Sequence, residues 1–159
     1  MRLTSFTDYT LRVLLHLAGN DATQFTIQEM ADLHRISKNH LMKVVCALGQ
    51  AGFVETVRGR NGGFRLGLPA AAIRIGEVVR MAEADFNMAE CFGGGGGNCA
   101  MGPDCGLKHV LARATAAYLE ELDHHTLASL LSVSRQIAQP VHQQQPLRII
   151  RLLPISQER

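Results

Sequence analysis

Three of the four cysteines stand close together in the chain, at Cys91, Cys99 and Cys105, in the pattern C-x7-C-x5-C. Structural zinc sites usually take two ligands from one tight C-x2-C turn, and this sequence has no such pair. Iron-sulfur clusters are larger, and thiolates reach them from a loop that wraps around the inorganic core. The glycines at positions 93–97 give such a loop its freedom. We therefore expect these cysteines to hold an iron-sulfur cluster, with zinc as the minority interpretation.

Three thiolates leave one coordination position of a cluster to be filled by another ligand. The candidates in the chain are Asp8, Glu90, Asp104 and His109. A hard carboxylate matches a soft iron-sulfur unit less well than a thiolate does, and is therefore displaced more easily. A displaceable ligand suits a sensor more than an electron carrier.

The fourth cysteine, Cys46, lies in a predicted helix beside Val44, Val45 and Leu48. Free cysteine is commonly a small core residue. We therefore expect Cys46 to be buried and exclude it as a cluster ligand.

The charges are unevenly distributed along the 159 residues. The net charge is +3 over residues 1–68, −4 over residues 69–134 and +3 over residues 135–159. A basic front end beside an acidic middle is typical of a DNA-facing module joined to a module that does not touch DNA, although a solvated surface gives the same pattern.

Several classes of protein are disfavoured by the sequence. No apolar run approaches the roughly 18 residues of a membrane span, and residues 11–18 are interrupted by Arg12 and His16 and lack the flanks of a signal peptide. We expect a cytoplasmic protein that does not bind membranes and whose thiols stay reduced. We find no nucleophile-base pair and no phosphate loop, so we do not expect an enzyme.

The first half of the chain predicts three helices and a hairpin. The first helix begins at about Thr7 or Asp8, the second follows a capping box from Thr26 to Glu29, and Ser37 caps the third. Strand-forming residues then flank a basic, glycine-rich turn. This order of elements predicts a winged helix-turn-helix, in a fold that is mainly α with a small β-hairpin wing and a long dimerisation helix.

A winged helix-turn-helix places the start of its second motif helix in the major groove of double-stranded DNA. Asparagine can pair there with adenine, and lysine can reach guanine or a phosphate. The alternatives are an ordinary solvated helix face and a structural turn with incidental arginines. The expected promoter-DNA contacts are Ser37, Lys38, Asn39, His40, Lys43, Arg58, Arg60, Asn61, Gly62 and Gly63.

The second half predicts a helix over about residues 75–84, an irregular loop and a long amphipathic helix from residue 106 to residue 122. The apolar stripe of that last helix could join two subunits of a homodimer or pack within its own monomer. Its members are Leu107, Leu111, Ala114, Tyr118 and Leu122. We divide the chain into a DNA-binding domain (1–68), a linking helix (69–90), a cluster loop (91–105), a dimerisation helix (106–134) and a mostly disordered tail (135–159).

The sequence resembles the Rrf2 family of bacterial transcription regulators, and within it the nitric-oxide-sensitive repressors. The resemblance covers roughly residues 1–131. It rests on the segments MRLTSFTDY (1–9), SKNHLMK (37–43), VRGRNGG (57–63), IRIGEVV (73–79) and ELD (121–123). These segments are far more specific than a cysteine count.

The resemblance implies a homodimer that crosses through the long helix, with paired winged-helix heads on a two-fold operator. It implies one iron-sulfur cluster per subunit, [2Fe-2S] or [4Fe-4S], and release of DNA when nitric oxide attacks that cluster. It also implies that Asp8 of one subunit completes the cluster of the other.

Two features depart from the family pattern. The glycine run stretches the first cysteine interval. A sister iron-sulfur regulator uses a histidine three residues after the last cysteine, where this chain has Lys108, with His109 one step later. The alternatives to a nitric-oxide sensor are a relative that senses cluster status or oxidative stress, a regulator with a zinc or empty loop, and a small electron-transfer iron-sulfur protein.

Overall fold

A computed structural model of the chain describes residues 2–20, 23–57, 59, 62–93, 99, 101 and 104–138, with side chains as far as residue 132. In chain order the described elements are α1 (Ser5–Gly19), α2 (Ile27–His34), α3 (Lys38–Gln50), β1 (Val54–Val57), β2 (Gly63–Leu66), α4 (Ile75–Ala82), α5 (Gly106–Asp123) and α6 (Leu127–Ala138). Short 3-10 turns lie at Ala70–Ala72 and Glu90–Phe92. The predicted fold class, mainly α with a hairpin wing, is confirmed.

The first three helices each begin at a hydroxyl side chain that accepts a hydrogen bond from a backbone N–H of the first turn. Thr4 caps α1, so this helix begins earlier than the predicted start at Thr7. Thr26 and Glu29 form the predicted capping box of α2, with bonds of 3.2 and 2.8 Å. Ser37 caps α3 as predicted. Local sequence therefore fixes where these helices start.

The wing is an antiparallel hairpin in which Val57 pairs with Gly63 and Val54 with Leu66. The backbone of Phe25, just before α2, exchanges two hydrogen bonds of 3.1 and 2.9 Å with Phe64 of β2. The hairpin is thereby attached to the helix-turn-helix and holds a fixed position beside it.

The hydrophobic core is centred on α1, which packs against α3, α4, α6 and β2. Val13, Leu14 and Leu17 of this helix are buried together with Phe64 of the wing and Leu127 of α6. The core thus joins the DNA-binding half of the chain to elements from its second half. Within the described ranges, no helix has the length and apolarity needed to cross a bilayer.

Residues 106–134, expected as one dimerisation helix, form two helices instead. Thr126 and Ser129 exchange hydrogen bonds of 3.0 and 3.2 Å between side chain and backbone N–H, and this reciprocal cap starts α6. α6 turns back onto α1 and continues to Ala138, past the expected tail boundary at residue 135. The remainder of the predicted tail lies outside the described residues.

Candidate DNA interface and cysteine loop

The exposed face of α3 carries cationic and polar side chains and no carboxylate. Lys38, Asn39, His40 and Lys43 are exposed, and the buried residues of the same helix are Leu41, Val44, Val45 and Leu48. Ser37 is exposed too, although its hydroxyl is already engaged as the helix cap. The predicted base-contacting residues therefore share one open surface, with a chemistry suited to base edges and phosphates.

Cys46 is exposed, which corrects the expectation that it is a core residue. The buried side of α3 is formed by Leu41, Val44, Val45 and Leu48. Position 46 is rotated by about 100° from position 45, because an α-helix has about 3.6 residues per turn. This rotation turns Cys46 away from the core.

The glycines of the wing are explained by close backbone contacts within the chain. A Cβ atom at Gly62 would lie 2.5 Å from the carbonyl oxygen of Val57, and one at Gly63 would lie 2.8 Å from that of Phe25. Gly59 has a φ of 121°, which favours glycine. The chain itself requires these glycines, whatever the wing contacts. The predicted contacts Arg58, Arg60 and Asn61 lie outside the described residues.

One side-chain contact connects residues near the two ends of the cysteine loop. Cys91 lies half-buried in the 3-10 turn Glu90–Phe92, and half-buried Cys105 is the N-cap residue of α5. The Lys108 Nζ atom of α5 lies 6.0 Å from the ring centroid of Phe92, within cation-π range.

The described part of a single chain does not bring a complete metal-binding set together. Among the described His, Cys, Asp and Glu side chains, no group of three or more is placed to hold a metal ion. Cys99 is exposed, as are three of the candidate fourth ligands, Glu90, Asp104 and His109. Three soft thiol donors on one glycine-rich loop still fit an iron-sulfur group by their chemistry.

Asp8, the candidate ligand that the family resemblance implies, lies in the first turn of α1. Its carboxylate accepts hydrogen bonds from Arg12 at 2.7 and 3.1 Å in an exposed ion pair. Exposed pairs of this kind contribute little, about 0 to 1 kcal/mol, so Asp8 can exchange this partner for another at small cost.

Part of the apolar stripe of α5 packs against its own chain, and part of it is exposed to solvent. Leu122 packs against the core of its own chain, and burial, with the nearby Glu83 carboxylate, raises the pKa of Tyr118. Leu107 is 65% exposed, and Val110, which the predicted stripe omitted, is 60% exposed. All eighteen residues of α5 are described and none is buried. The N-terminal part of the helix therefore presents apolar surface that its own chain leaves open. The predicted stripe members Leu111 and Ala114 lie in this part, half-buried and exposed respectively.

A contact that the sequence reading missed connects α4 to the end of α5. Arg80 donates two hydrogen bonds to the Asp123 carboxylate, one of them 2.8 Å long to Oδ1, and Arg74 donates to the Asp123 carbonyl oxygen at 3.2 Å. A Cβ atom at Gly76 would lie 1.9 Å from Asp123 Oδ1. The segments 73–79 and 121–123, noted above only as family motifs, meet here.

A helix-turn-helix followed by a two-stranded wing, with an exposed and acid-free start to its second motif helix, defines a winged-helix DNA-binding protein. Residues 3–133 match the Rrf2 family, which is described as iron-dependent transcriptional regulators. The chain belongs to this family, and the resemblance inferred from its motifs is confirmed.

Two relatives named HTH-type transcriptional regulator NsrR are about half identical to this chain. The one from Bacillus licheniformis is 53% identical over 132 residues, covering 82% of this chain and 92% of the relative. The one from Bacillus subtilis is 51% identical over 138 residues, covering 86% and 94%. The chain is thus a transcriptional regulator, and it binds DNA.

Solved structures agree with this fold. The T. potens IscR structure matches with a TM-score of 0.69 at 21% identity, over 87% of this chain and 91% of that one. The oxidized form of Staphylococcus aureus CymR matches with a TM-score of 0.66 at 26% identity, over 82% and 95%. The first of these likenesses concerns the fold alone.

Proposed function

We propose that this chain is a nitric-oxide-sensing transcriptional repressor that binds promoter DNA as a homodimer while Cys91, Cys99 and Cys105 hold an iron-sulfur cluster. The observation that carries the proposal is a loop with three cysteines whose flanking residues Phe92 and Lys108 are in contact, in the same chain as an α3 that has no carboxylate. Its similarity to regulators named NsrR supports the same assignment. The protein works in the cytoplasm and carries out no catalysis.

The DNA-binding domain, residues 1–68, reads the operator with α3 and the wing. Ser37, Lys38, Asn39, His40 and Lys43 enter the major groove, where Asn39 and the lysines are the groups able to recognise base edges. Arg58, Arg60 and Asn61, with Gly62 and Gly63, contact the adjacent backbone or minor groove.

The dimer forms through the open part of α5. Leu107, Leu111 and Ala114, with Val110 beside them, pack on the same residues of the partner subunit. Their exposure in the single chain supports this assignment, because soluble proteins seldom leave such a cluster in water. The two heads then face half-sites about 34–36 Å apart, one turn of DNA.

Sensing depends on the residues that hold the loop. Cys91, Cys99 and Cys105 supply three thiolates, and Asp8 of the partner subunit supplies the fourth ligand after leaving Arg12. A cluster held there would supply iron able to react with nitric oxide. With all three thiolates engaged, Cys105 fixes the start of α5 and Cys91 fixes the segment that follows α4. When they are released, both segments are free to move, and the spacing of the heads is lost.

The cluster is tested by purifying the protein without oxygen and measuring its visible absorption, its native mass and its Mössbauer spectrum. We expect a brown protein with one cluster per subunit, and Mössbauer spectra that report the cluster type. Cys99→Ser should lose the absorption, whereas Cys46→Ser, which alters an exposed cysteine on α3, should retain it. A colourless parent protein, or equal absorption in both variants, would contradict the cluster assignment.

The DNA interface is tested on an operator selected from random duplexes with the anaerobic protein. Asn39→Ala should relax the base preference at one position of each half-site, at a cost of about 1–3 kcal/mol. Lys43→Ala should lower the slope of log affinity against log salt by about one. Arg113→Ala, an exposed change on α5, is the control and should alter neither. Equal effects of all three changes would contradict the interface.

A further inference from the structure

We propose that the ion pair between Arg80 and Asp123 is the contact through which the position of α5 sets the position of the DNA-binding domain, residues 1–68, which we call the head. This inference deepens the proposed function and rests on it. Arg80 and Asp123 are positioning residues, because they lie in α4 and at the end of α5, outside α3, the wing and the cysteine loop. We call them, with Gly76, the α4–α5 joint.

The joint lies at the far end of α5 from the cysteine loop. α5 begins at Gly106, directly after Cys105, and has 18 residues, so it spans about 27 Å at about 1.5 Å per residue. None of its residues is buried within its own chain, and Leu122 packs against the core next to the joint. A displacement at Cys105 therefore travels along a stiff helix that its own chain holds mainly at the Asp123 end.

Beyond the joint, backbone hydrogen bonds connect two helices that both pack on α1. Ile75 N–H donates to the His125 carbonyl oxygen at 2.9 Å, and Leu127 N–H donates to that of Ile73 at 3.0 Å. The starts of α4 and α6 are thereby tied to each other, and each of these helices contacts α1. A movement of Asp123 therefore displaces α1 through its contacts with both α4 and α6.

The helix dipoles and the Arg80 charge around Asp123 explain why a carboxylate and an arginine form this contact. Asp123 stands in the last turn of α5, where the dipole of its own helix disfavours a carboxylate. It lies against the first turn of α4 at Gly76, where the dipole favours one, and the hydrogen bonds from Arg80 hold the pKa of Asp123 below its usual value. The Asp123 carboxylate is therefore stabilised against the first turn of α4. This contact holds the end of α5 in one position relative to α4.

The test compares DNA affinity with and without the cluster in the parent, Arg80→Met and Asp123→Asn. Arg80→Met keeps the apolar stem, and Asp123→Asn keeps the volume beside Gly76. His125→Gln is the matched control, because it breaks the exposed pair with Glu121 next to the joint. Iron per subunit and hydrogen exchange of residues 69–82 in the two states are measured on the same samples.

We expect the parent and His125→Gln to bind DNA at least 100-fold more tightly with the cluster than without it. In Arg80→Met and Asp123→Asn we expect this ratio to fall to less than 10, with iron content unchanged and with the same exchange of residues 69–82 in both states. Arg80→Lys, which keeps one charged donor, should restore part of the ratio.

Other results would overturn the inference in distinguishable ways. If both variants keep the parent ratio, the joint does not transmit the state of the loop. If they lose iron or cooperative unfolding, and Arg80→Lys does the same, the pair is structural only. A parent ratio near one would instead refute the proposed function, and the joint would lose its role with it.

Discussion

The DNA-binding head and the α5 region are stabilised in different ways. In the head, α1, α2 and α3 each have a side-chain cap, and their apolar faces meet in one core with the wing. α5 begins at Gly106 without a side-chain cap from Cys105 and, although fully described, buries none of its residues within the chain. The head is therefore stabilised by its caps and by a core that it shares with α4 and α6, whereas α5 has neither a side-chain cap nor a buried residue. A sensor benefits from this division, because the segment that must respond is the less stable one.

The largest expected contrast comes from the same truncation in the two regions. Leu14 is fully buried, so Leu14→Ala should lower the free energy of unfolding by about 2–5 kcal/mol. Leu107→Ala removes an exposed side chain and should change monomer stability by less than about 0.5 kcal/mol. It should instead raise the dimer dissociation constant. Urea unfolding and sedimentation measure the two quantities, and equal stability losses with no change in dimerisation would abolish the contrast.

Two glycine substitutions provide the next contrast. Gly63→Ala places a Cβ atom 2.8 Å from the Phe25 carbonyl oxygen and should cost about 1–3 kcal/mol, because backbone must move. A Cβ atom at Gly106, in the first turn of α5, meets nothing within 4 Å. Gly106→Ala should stabilise the cluster-free protein by about 0.4–1 kcal/mol by restricting the unfolded chain. Thermal unfolding compares them, and a neutral Gly63→Ala would show that the wing adjusts freely.

Removing a cap should have a smaller effect. Thr26→Ala deletes the hydroxyl that accepts from Glu29 N–H and should cost about 0.5–2 kcal/mol of unfolding free energy. Thr26→Ser keeps the hydroxyl and serves as the control. A loss in Thr26→Ser equal to that in Thr26→Ala would mean that the methyl group, and not the cap, stabilises α2.

Acidification should weaken the head slightly. His34 Nε2 is buried without a hydrogen-bond partner among the described atoms, and its ring lies 5.3 Å from that of His16. Burial, followed by His16 and Arg12, lowers the pKa of His34. The unfolded chain therefore binds the proton first, and stability falls as the pH drops below about 6.5.

Urea midpoints at pH 7.5 and 5.5 measure this effect of pH. His34→Gln should reduce the difference between the two midpoints, and His109→Gln, at an exposed site on α5, should leave it unchanged. A larger reduction in His109→Gln than in His34→Gln would place the pH sensitivity outside the head.

The sequence predicts the head better than the α5 region. The caps at Thr26 and Ser37 depend on neighbours three residues away, so a local pattern reveals them. The break before α6 is less visible, since the Thr126–Ser129 cap interrupts a helical pattern without glycine or proline. The position of Cys46, one residue after buried Val45, is decided by the packing of α3 as a whole.

Sequence patterns likewise indicate one part of the candidate site and miss the other. The exposed residues at the start of α3 follow from its amphipathic pattern. The Arg80–Asp123 contact joins residues 43 apart, and no local spacing indicates it. The spacing of the cysteines leaves the fourth ligand open, and only the family resemblance implies that Asp8 of a second subunit supplies it.

The central claim is that the thiolates of the loop control DNA binding, and one titration tests it most directly. Anaerobic protein is mixed with a fluorescent operator duplex, and anisotropy is recorded as nitric oxide is added. We expect affinity to fall, by about 10⁴-fold for a complete switch, and Cys99→Ser to bind weakly before and after addition. If Cys99→Ser binds as tightly as the parent and still releases the DNA when nitric oxide is added, the claim is wrong.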